Sequence, residues 1–152
     1  LTAQAGFGGG PDYLKDQAFE SGGGGLVSSS MDYMRFSQMM LNGGVLDGQR
    51  ILAPLTVRLM SSNHLPTGVN GLNPYVTHTK FGLDFAVIDD PIQAEAYSQG
   101  EYYWGGAAGT WFWIDPVENL VFIGMIQQFG AQLPDVRSTS KRLVYQAIME
   151  PK

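Results

Sequence analysis

Tyr102-Tyr103-Trp104-Gly105-Gly106-Ala107-Ala108-Gly109-Thr110-Trp111-Phe112-Trp113 is the stretch from which the fold follows. Aromatic side chains crowd both ends and small residues fill the middle, so it reads as one extended run. A turn, Asp115-Pro116-Val117-Glu118-Asn119, separates it from a second apolar run, Leu120 to Gln128. Two such runs around a Pro/Asn turn predict an antiparallel hairpin. Phe112 and Ile114 share one face, and Trp111 and Trp113 the other. Leu120, Phe122 and Ile126 likewise oppose Val121, Ile123 and Met125. A strand that is apolar on both faces is covered on both sides, so the hairpin is expected in the centre of a covered sheet. Gly105, Gly106 and Gly109 admit two readings. They let a neighbouring element pack tightly, or they line a cleft and offer backbone N–H groups to a ligand.

The chain has 152 residues and a mass of 16.6 kDa, the size of one domain. A hydrophobic content of 44% and a mean hydropathy of -0.06 supply enough apolar mass for a core. The net charge is -5 and Lys141-Arg142 is the nearest approach to a basic cluster, which argues against a nucleic-acid partner. No apolar run reaches membrane-spanning length or resembles a signal peptide, so no membrane partner is expected. Without cysteine there is no disulfide and no thiol chemistry within these residues. His64 and His78 lie apart in polar contexts, and no ligand-spaced cluster predicts a metal or other cofactor. Leu1-Thr2-Ala3-Gln4 carries no initiator Met and no pattern of helix or strand, and the expectation is a chain that begins mid-protein.

Upstream of the hairpin, residues 1–25 read as loop, with breakers at Gly8-Gly9-Gly10-Pro11 and four glycines at Gly22 to Gly25. Those four glycines either stay mobile or serve a close backbone approach, and the flanking residues do not make a phosphate loop. Ser28 to Leu41 predicts a helix. Ser29 with Asp32 forms its capping pattern, and Asn42-Gly43-Gly44 its stop. Met31, Met34 and Leu41 form one apolar line beside Tyr33, Phe36 and Met40, and the methionines read as core filling. Val45 to Leu52 predicts a hairpin around Asp47-Gly48. Pro54 opens a short helix to about residue 61, with Leu55, Leu59 and Met60 inward. Residues 62–80 form a long loop of the kind that rims a cleft. Phe81 to Ile88 predicts one strand, ending at the Asp89-Asp90-Pro91 turn, and a second loop spans 92–100. A last helix from about Pro134 to Met149 carries an apolar stripe at Val136, Leu143, Val144, Ala147 and Ile148. Three antiparallel strands covered by helices make an α+β fold.

A search for catalytic sets finds no G-x-S-x-G and no H-E-x-x-H. One S-x-x-K is present, Ser138-Thr139-Ser140-Lys141. Its Ser and Lys fall opposite the apolar stripe of the last helix, so both are expected to face solvent, with no cleft and no oxyanion donors.

Taken together, Ser21-Gly22-Gly23-Gly24-Gly25-Leu26-Val27-Ser28, Asp32-Tyr33-Met34-Arg35-Phe36, Leu41-Asn42-Gly43-Gly44, Phe81-Gly82-Leu83, Tyr103 to Thr110 and Ile114-Asp115-Pro116 form a familiar set. The set resembles the carboxy-terminal half of the serine β-lactamase-like hydrolases, on the branch of family VIII carboxylesterases and class C β-lactamases. The resemblance covers roughly residues 18–150. It implies that residues 1–152 are the carboxy-terminal portion of one such domain, with 1–80 belonging to the helical subdomain and its loops and 81–152 supplying sheet strands and the terminal helix. It implies that the nucleophilic Ser and its Lys, and a Tyr-x-Asn/Ser segment, lie upstream of Leu1. It places Trp104-Gly105-Gly106 where penicillin-recognising members carry Lys-Thr-Gly. Carried over, the Ala107 N–H completes the oxyanion hole, while Gly105 and Gly106 leave the strand bare beside the acyl group. A Lys at the motif's first position would attract a substrate carboxylate; Trp104 offers an apolar wall and one N–H. Neutral esters are therefore the expected substrates, with Tyr103 or Tyr102 and the loop 62–80 shaping the pocket. An amide-hydrolysing β-lactamase or penicillin-binding protein is the alternative within the family. A different class of function is a binding module that uses the aromatic run as an exposed platform. A three-stranded remnant would leave a sheet edge open, so the chain is expected to pair with a missing amino-terminal half or to form a homo-oligomer. A bacterial cytoplasm or periplasm would suit either function.

Overall fold

The computed structural model describes residues 15–16, 22, 26–69, 78–127 and 135–152. The expectations for the glycine run at 23–25, the middle of the 62–80 loop and the start of the last helix at Pro134 fall outside the described residues.

Helix α1 spans Ser30–Leu41. It begins where Ser29, in extended conformation, accepts the Asp32 N–H on its Oγ at 3.1 Å and donates its hydroxyl proton to Asp32 Oδ2 at 2.7 Å. One of the orphan N–H groups of the first turn is thereby satisfied, as the capping pattern predicts. The helix ends at Asn42, and the next two residues, Gly43 and Gly44, take positive φ and return their N–H groups to Met40 O and Met39 O. Strands β1 (Val45–Leu46) and β2 (Gln49–Arg50) form the expected hairpin, with Asp47 and Gly48 both at positive φ. Helix α2, Pro54–Met60, starts on its proline. Its inward residues differ from expectation: Val57 is buried and Met60 half-buried, whereas Leu55 and Leu59 face out. Leu55 and Leu59 each stand two positions from Val57, roughly 200° round a helix of 3.6 residues per turn, so burying Val57 turns both outward.

The main sheet has the order β3-β4-β5-β6-β7, antiparallel throughout. Both apolar runs upstream of the Asp115 turn are folded once more than the sequence pattern indicated. Phe81 to Ile88 is not one strand but two short ones, β3 (Lys80–Phe81) and β4 (Ala86–Val87). Gly82 donates to Phe85 O at 2.8 Å and Asp84 adopts φ 67°, which closes a tight turn between them. The aromatic run likewise splits into β5 (Tyr102–Gly105) and β6 (Thr110–Asp115) around the small residues. Strand β7 is Leu120–Met125, and Asp115 Oδ1 accepts the Val117 and Glu118 N–H groups to form the turn that leads into it.

Strand β6 is thus interior, paired on both sides, and its alternation decides the layers. Tyr102, Phe112 and Ile114 face α1 and α2 and pack with Met39, Met40, Val57 and Phe85. Tyr33 packs on Phe112 at a tilt and Phe85 meets it edge-on, at centroid distances of 5.0 and 6.0 Å. Of the α1 methionines, Met39 and Met40 are core, while Met31 is 70% exposed and belongs to neither apolar line. The opposite face carries Tyr103, Trp111, Trp113 and Phe122, and helix α3 (Val136–Gln146) lies over it. The architecture is α+β: helices cover both faces of an antiparallel sheet.

Candidate active-site cleft

Register fixes the cleft floor. Tyr103 pairs with Trp113 and Gly105 with Trp111, so these four lie on the face beneath α3. A cleft of about 460 Å³ opens there, bounded by Tyr103, Trp104, Gly105, Trp111, Arg137 and Lys141. Three of the sequence-predicted site residues, Tyr103, Trp104 and Gly105, are therefore brought together. Gly106 and Ala107 follow directly in the turn between β5 and β6.

That turn has a defined bonding pattern. Gly106 donates to Thr110 O at 2.8 Å, Gly109 donates back to Gly106 O at 3.2 Å, and Gly109 takes φ 85°. Ala107 and Ala108 are the two central residues. The Gly106 N–H is committed to strand pairing. The Ala107 N–H takes no part in the bonds that close the turn, and Ala107 is exposed.

The two glycines before it are held bare by specific neighbours. A Cβ on Gly105 would lie 2.5 Å from Arg137 Nη1, and one on Gly106 would collide with Thr110 Oγ1. Arg137 lies flat against the strand end and donates from Nη2 to Gly106 O at 2.9 Å and to Thr110 O at 3.2 Å. The Trp104 side chain belongs to the other face. Its ring meets Phe81 edge-on at 5.2 Å and packs against the α1 core. Trp104 and Trp111 are half-buried on opposite faces and Trp113 is 2% exposed, so the three do not form the exposed row that a binding platform would need.

Helix α3 departs from the sequence expectation. Lys141 does not face solvent. Its side chain is 21% exposed and pairs with Glu101, which is wholly buried at the start of β5. Tyr145, one turn on, shares its hydroxyl between Glu101 Oε2 at 3.0 Å and Asp115 Oδ2 at 2.5 Å, and Trp111 Nε1 donates to Ser140 Oγ at 3.2 Å. The anticipated apolar stripe is weak: Leu143 is 62% exposed and no α3 residue is fully buried. Buried acids on the sheet draw the polar side of the helix inward, since a buried charge is costly unless paired. Burial holds the Glu101 carboxyl above its ordinary range although Lys141 and Tyr145 oppose the shift. The Tyr145 hydroxyl is pushed up by its own burial and by the two acids. Ser138 also borders the cleft, but its hydroxyl is bound to Asp135, the α3 N-cap, and the carboxylate there is held low by the Ser138 side chain. Ser138 and Lys141 are thus each occupied by a carboxylate, which leaves neither poised as nucleophile and base.

Sequence reasoning missed Arg137, Glu101 and the inward role of Lys141. Only Glu101 left a signal, a lone acid immediately before an apolar strand; nothing local distinguishes Arg137 from a solvated helix residue.

A family model described as Beta-lactamase matches residues 2–146. Two Mycobacterium tuberculosis proteins, Uncharacterized protein MT1414 and Protein Rv1367c, are each 35% identical over 126 residues, covering 78% of this chain. The chain spans 31% of the length of these curated relatives. A penicillin-binding protein homolog from Caulobacter crescentus aligns structurally with 17% identity and a TM-score of 0.44, over 57% of this chain and 22% of that one.

Proposed function

We propose that this chain, which belongs to the beta-lactamase family, supplies one wall and half the oxyanion hole of a serine esterase that acts on neutral esters through an acyl-enzyme. The observation that carries the proposal is the β5–β6 turn. It leaves the Ala107 N–H outside its own bonding at the end of a strand that borders a cleft. A backbone donor fixed by a hydrogen-bonded turn costs no reorganisation when negative charge develops on a carbonyl oxygen. In this reading Gly105 and Gly106 are the backbone along which the acyl group lies, and Tyr103 limits the pocket on the α3 face, while Trp104, its ring turned to the other face, borders it from the strand. The nucleophilic Ser and its base come from another part of a longer polypeptide, as the 31% share of the relatives' length allows. Leu26, Val27, Met31, Leu55 and Leu59 stand exposed and offer apolar area that such a part could cover.

The substrate side of the proposal rests on charge. Trp104 stands where a Lys would otherwise draw a substrate carboxylate, so nothing at that position favours an anionic lactam. Hydrolysis of p-nitrophenyl butyrate and of a carboxylate-bearing cephalosporin by the protein purified from its source cells tests this. A larger kcat/KM for the ester is expected. A larger value for the cephalosporin would transfer the assignment to a β-lactamase or penicillin-binding role.

A further inference from the structure

Arg137 is the cleft residue that the proposed chemistry leaves unused. Its backbone sits in the first turn of α3, just after the Asp135 cap, and three contacts hold that helix in place: Lys141 to Glu101, Tyr145 to Glu101 and Asp115, and Trp111 to Ser140. The guanidinium is therefore delivered to one spot, the strand end at Gly105, where the missing Cβ admits it. Among the described residues no carboxylate forms an ion pair with it. Its hydrogen-bond partners among the described residues are two carbonyls, Gly106 O and Thr110 O, one on each side of the turn.

Gly106 O belongs to the same planar peptide unit as the Ala107 N–H. In a trans peptide these two groups point in opposite directions. A cation hydrogen-bonded to the carbonyl therefore fixes where the N–H points, and it also draws electron density from the amide and strengthens the N–H as a donor. The Gly109 N–H on the same carbonyl acts in the same sense. We propose that Arg137 is a positioning residue: through the Gly106 carbonyl it orients and polarises the Ala107 N–H. The proposal rests on the oxyanion reading above and adds to it a residue thirty positions away in sequence that touches no substrate.

The test uses the whole protein as isolated, with Arg137→Ala, Arg137→Lys and Ala107→Pro. Proline fits the first central position of a turn and removes the N–H outright. Losing an oxyanion donor costs roughly 10²–10³ in kcat. Ala107→Pro is expected to fall in that range. Arg137→Ala is expected to lose about 10-fold to 100-fold in kcat, with KM within about twofold, and Arg137→Lys to recover part of the loss. Amide hydrogen exchange across residues 105–110, which needs no turnover, should speed up in Arg137→Ala and not in the α1 peptide. Unchanged exchange at the turn overturns the proposal whether or not the protein turns over ester. Faster exchange with unchanged kcat overturns it as well, and so does a rise in KM alone, which would make Arg137 a substrate contact. An Ala107→Pro variant with full kcat removes instead the oxyanion reading beneath it.

Discussion

Lys141 Nζ and Glu101 Oε1 form an ion pair between α3 and the first residue before β5, forty residues apart in sequence. Because Glu101 is wholly buried, Lys141 is what makes its ionised form tolerable there. Replacing Lys141 by Met should destabilise the fold by about 3 kcal/mol, the lower end for a broken buried pair, since Glu101 can take up a proton and keeps the Tyr145 hydroxyl. Adding Glu101→Gln should recover much of that loss. Urea denaturation of the single and double variants gives the comparison; additive losses would mean that the pair is not coupled.

The pH dependence follows from the same acid. Burial, the largest cause, raises the Glu101 carboxyl above its ordinary 4.5 in the folded protein. The folded state then binds this proton more tightly than the unfolded one. The associated stability is full below the unfolded value and declines as pH rises through the folded one. Asp135 is shifted the other way and acts only at lower pH, below its ordinary 3.8. Thermal melts in a pH series starting near 4.5 should therefore show a falling Tm that Glu101→Gln flattens. An identical slope in the variant would assign the pH effect to other groups.

Gly124→Ala should be among the costly single-atom changes. The Trp111 ring lies directly on the Gly124 position, so an added methyl group would collide with the rigid indole. The same indole carries the Nε1 bond to Ser140 on α3. Overpacking of this kind costs about 1–3 kcal/mol. A shift in urea midpoint should accompany increased exposure of the α3 peptide to limited proteolysis; an unchanged midpoint would mean that the sheet moves aside.

Ser29→Ala removes the α1 cap and should cost about 1 kcal/mol, with Ser29→Thr, which keeps a hydroxyl to accept the Asp32 N–H and to donate to its carboxylate, close to neutral. Chemical denaturation of both variants would show it, and equal losses would remove the capping argument.

Local chemistry made much of this fold legible. Ser29/Asp32, Asp47-Gly48, Pro54 and the Asp115-to-Asn119 turn each act over a few residues, and each stands where the pattern put it. The aromatic run misled because alternation continues smoothly through β5 and β6, while the turn that separates them is made by Gly106 and Gly109, residues that equally suit a bulge. Phe81 to Ile88 hid a turn for a related reason: Asp84 adopts a left-handed conformation that its sequence does not demand. Helix α3 keeps Val136, Val144 and Ile148 half-buried and Ser138 exposed, as the stripe implies, but Lys141 turns inward and Leu143 outward because two buried acids elsewhere in the chain compete with the apolar stripe for the inner face. Among the residues that border the cleft, Tyr103, Trp104 and Gly105 were singled out in the sequence through the family resemblance. Arg137 was not, since its partners are backbone carbonyls, which no sequence distinguishes.

Intact mass of the protein purified from its source cells, before and after a serine-directed fluorophosphonate, tests the central claim most directly. The account predicts a polypeptide heavier than 16.6 kDa that gains one adduct on a serine outside these 152 residues, with ester hydrolysis lost in step. An adduct on Ser138, or no adduct in a preparation that still hydrolyses ester, would contradict it.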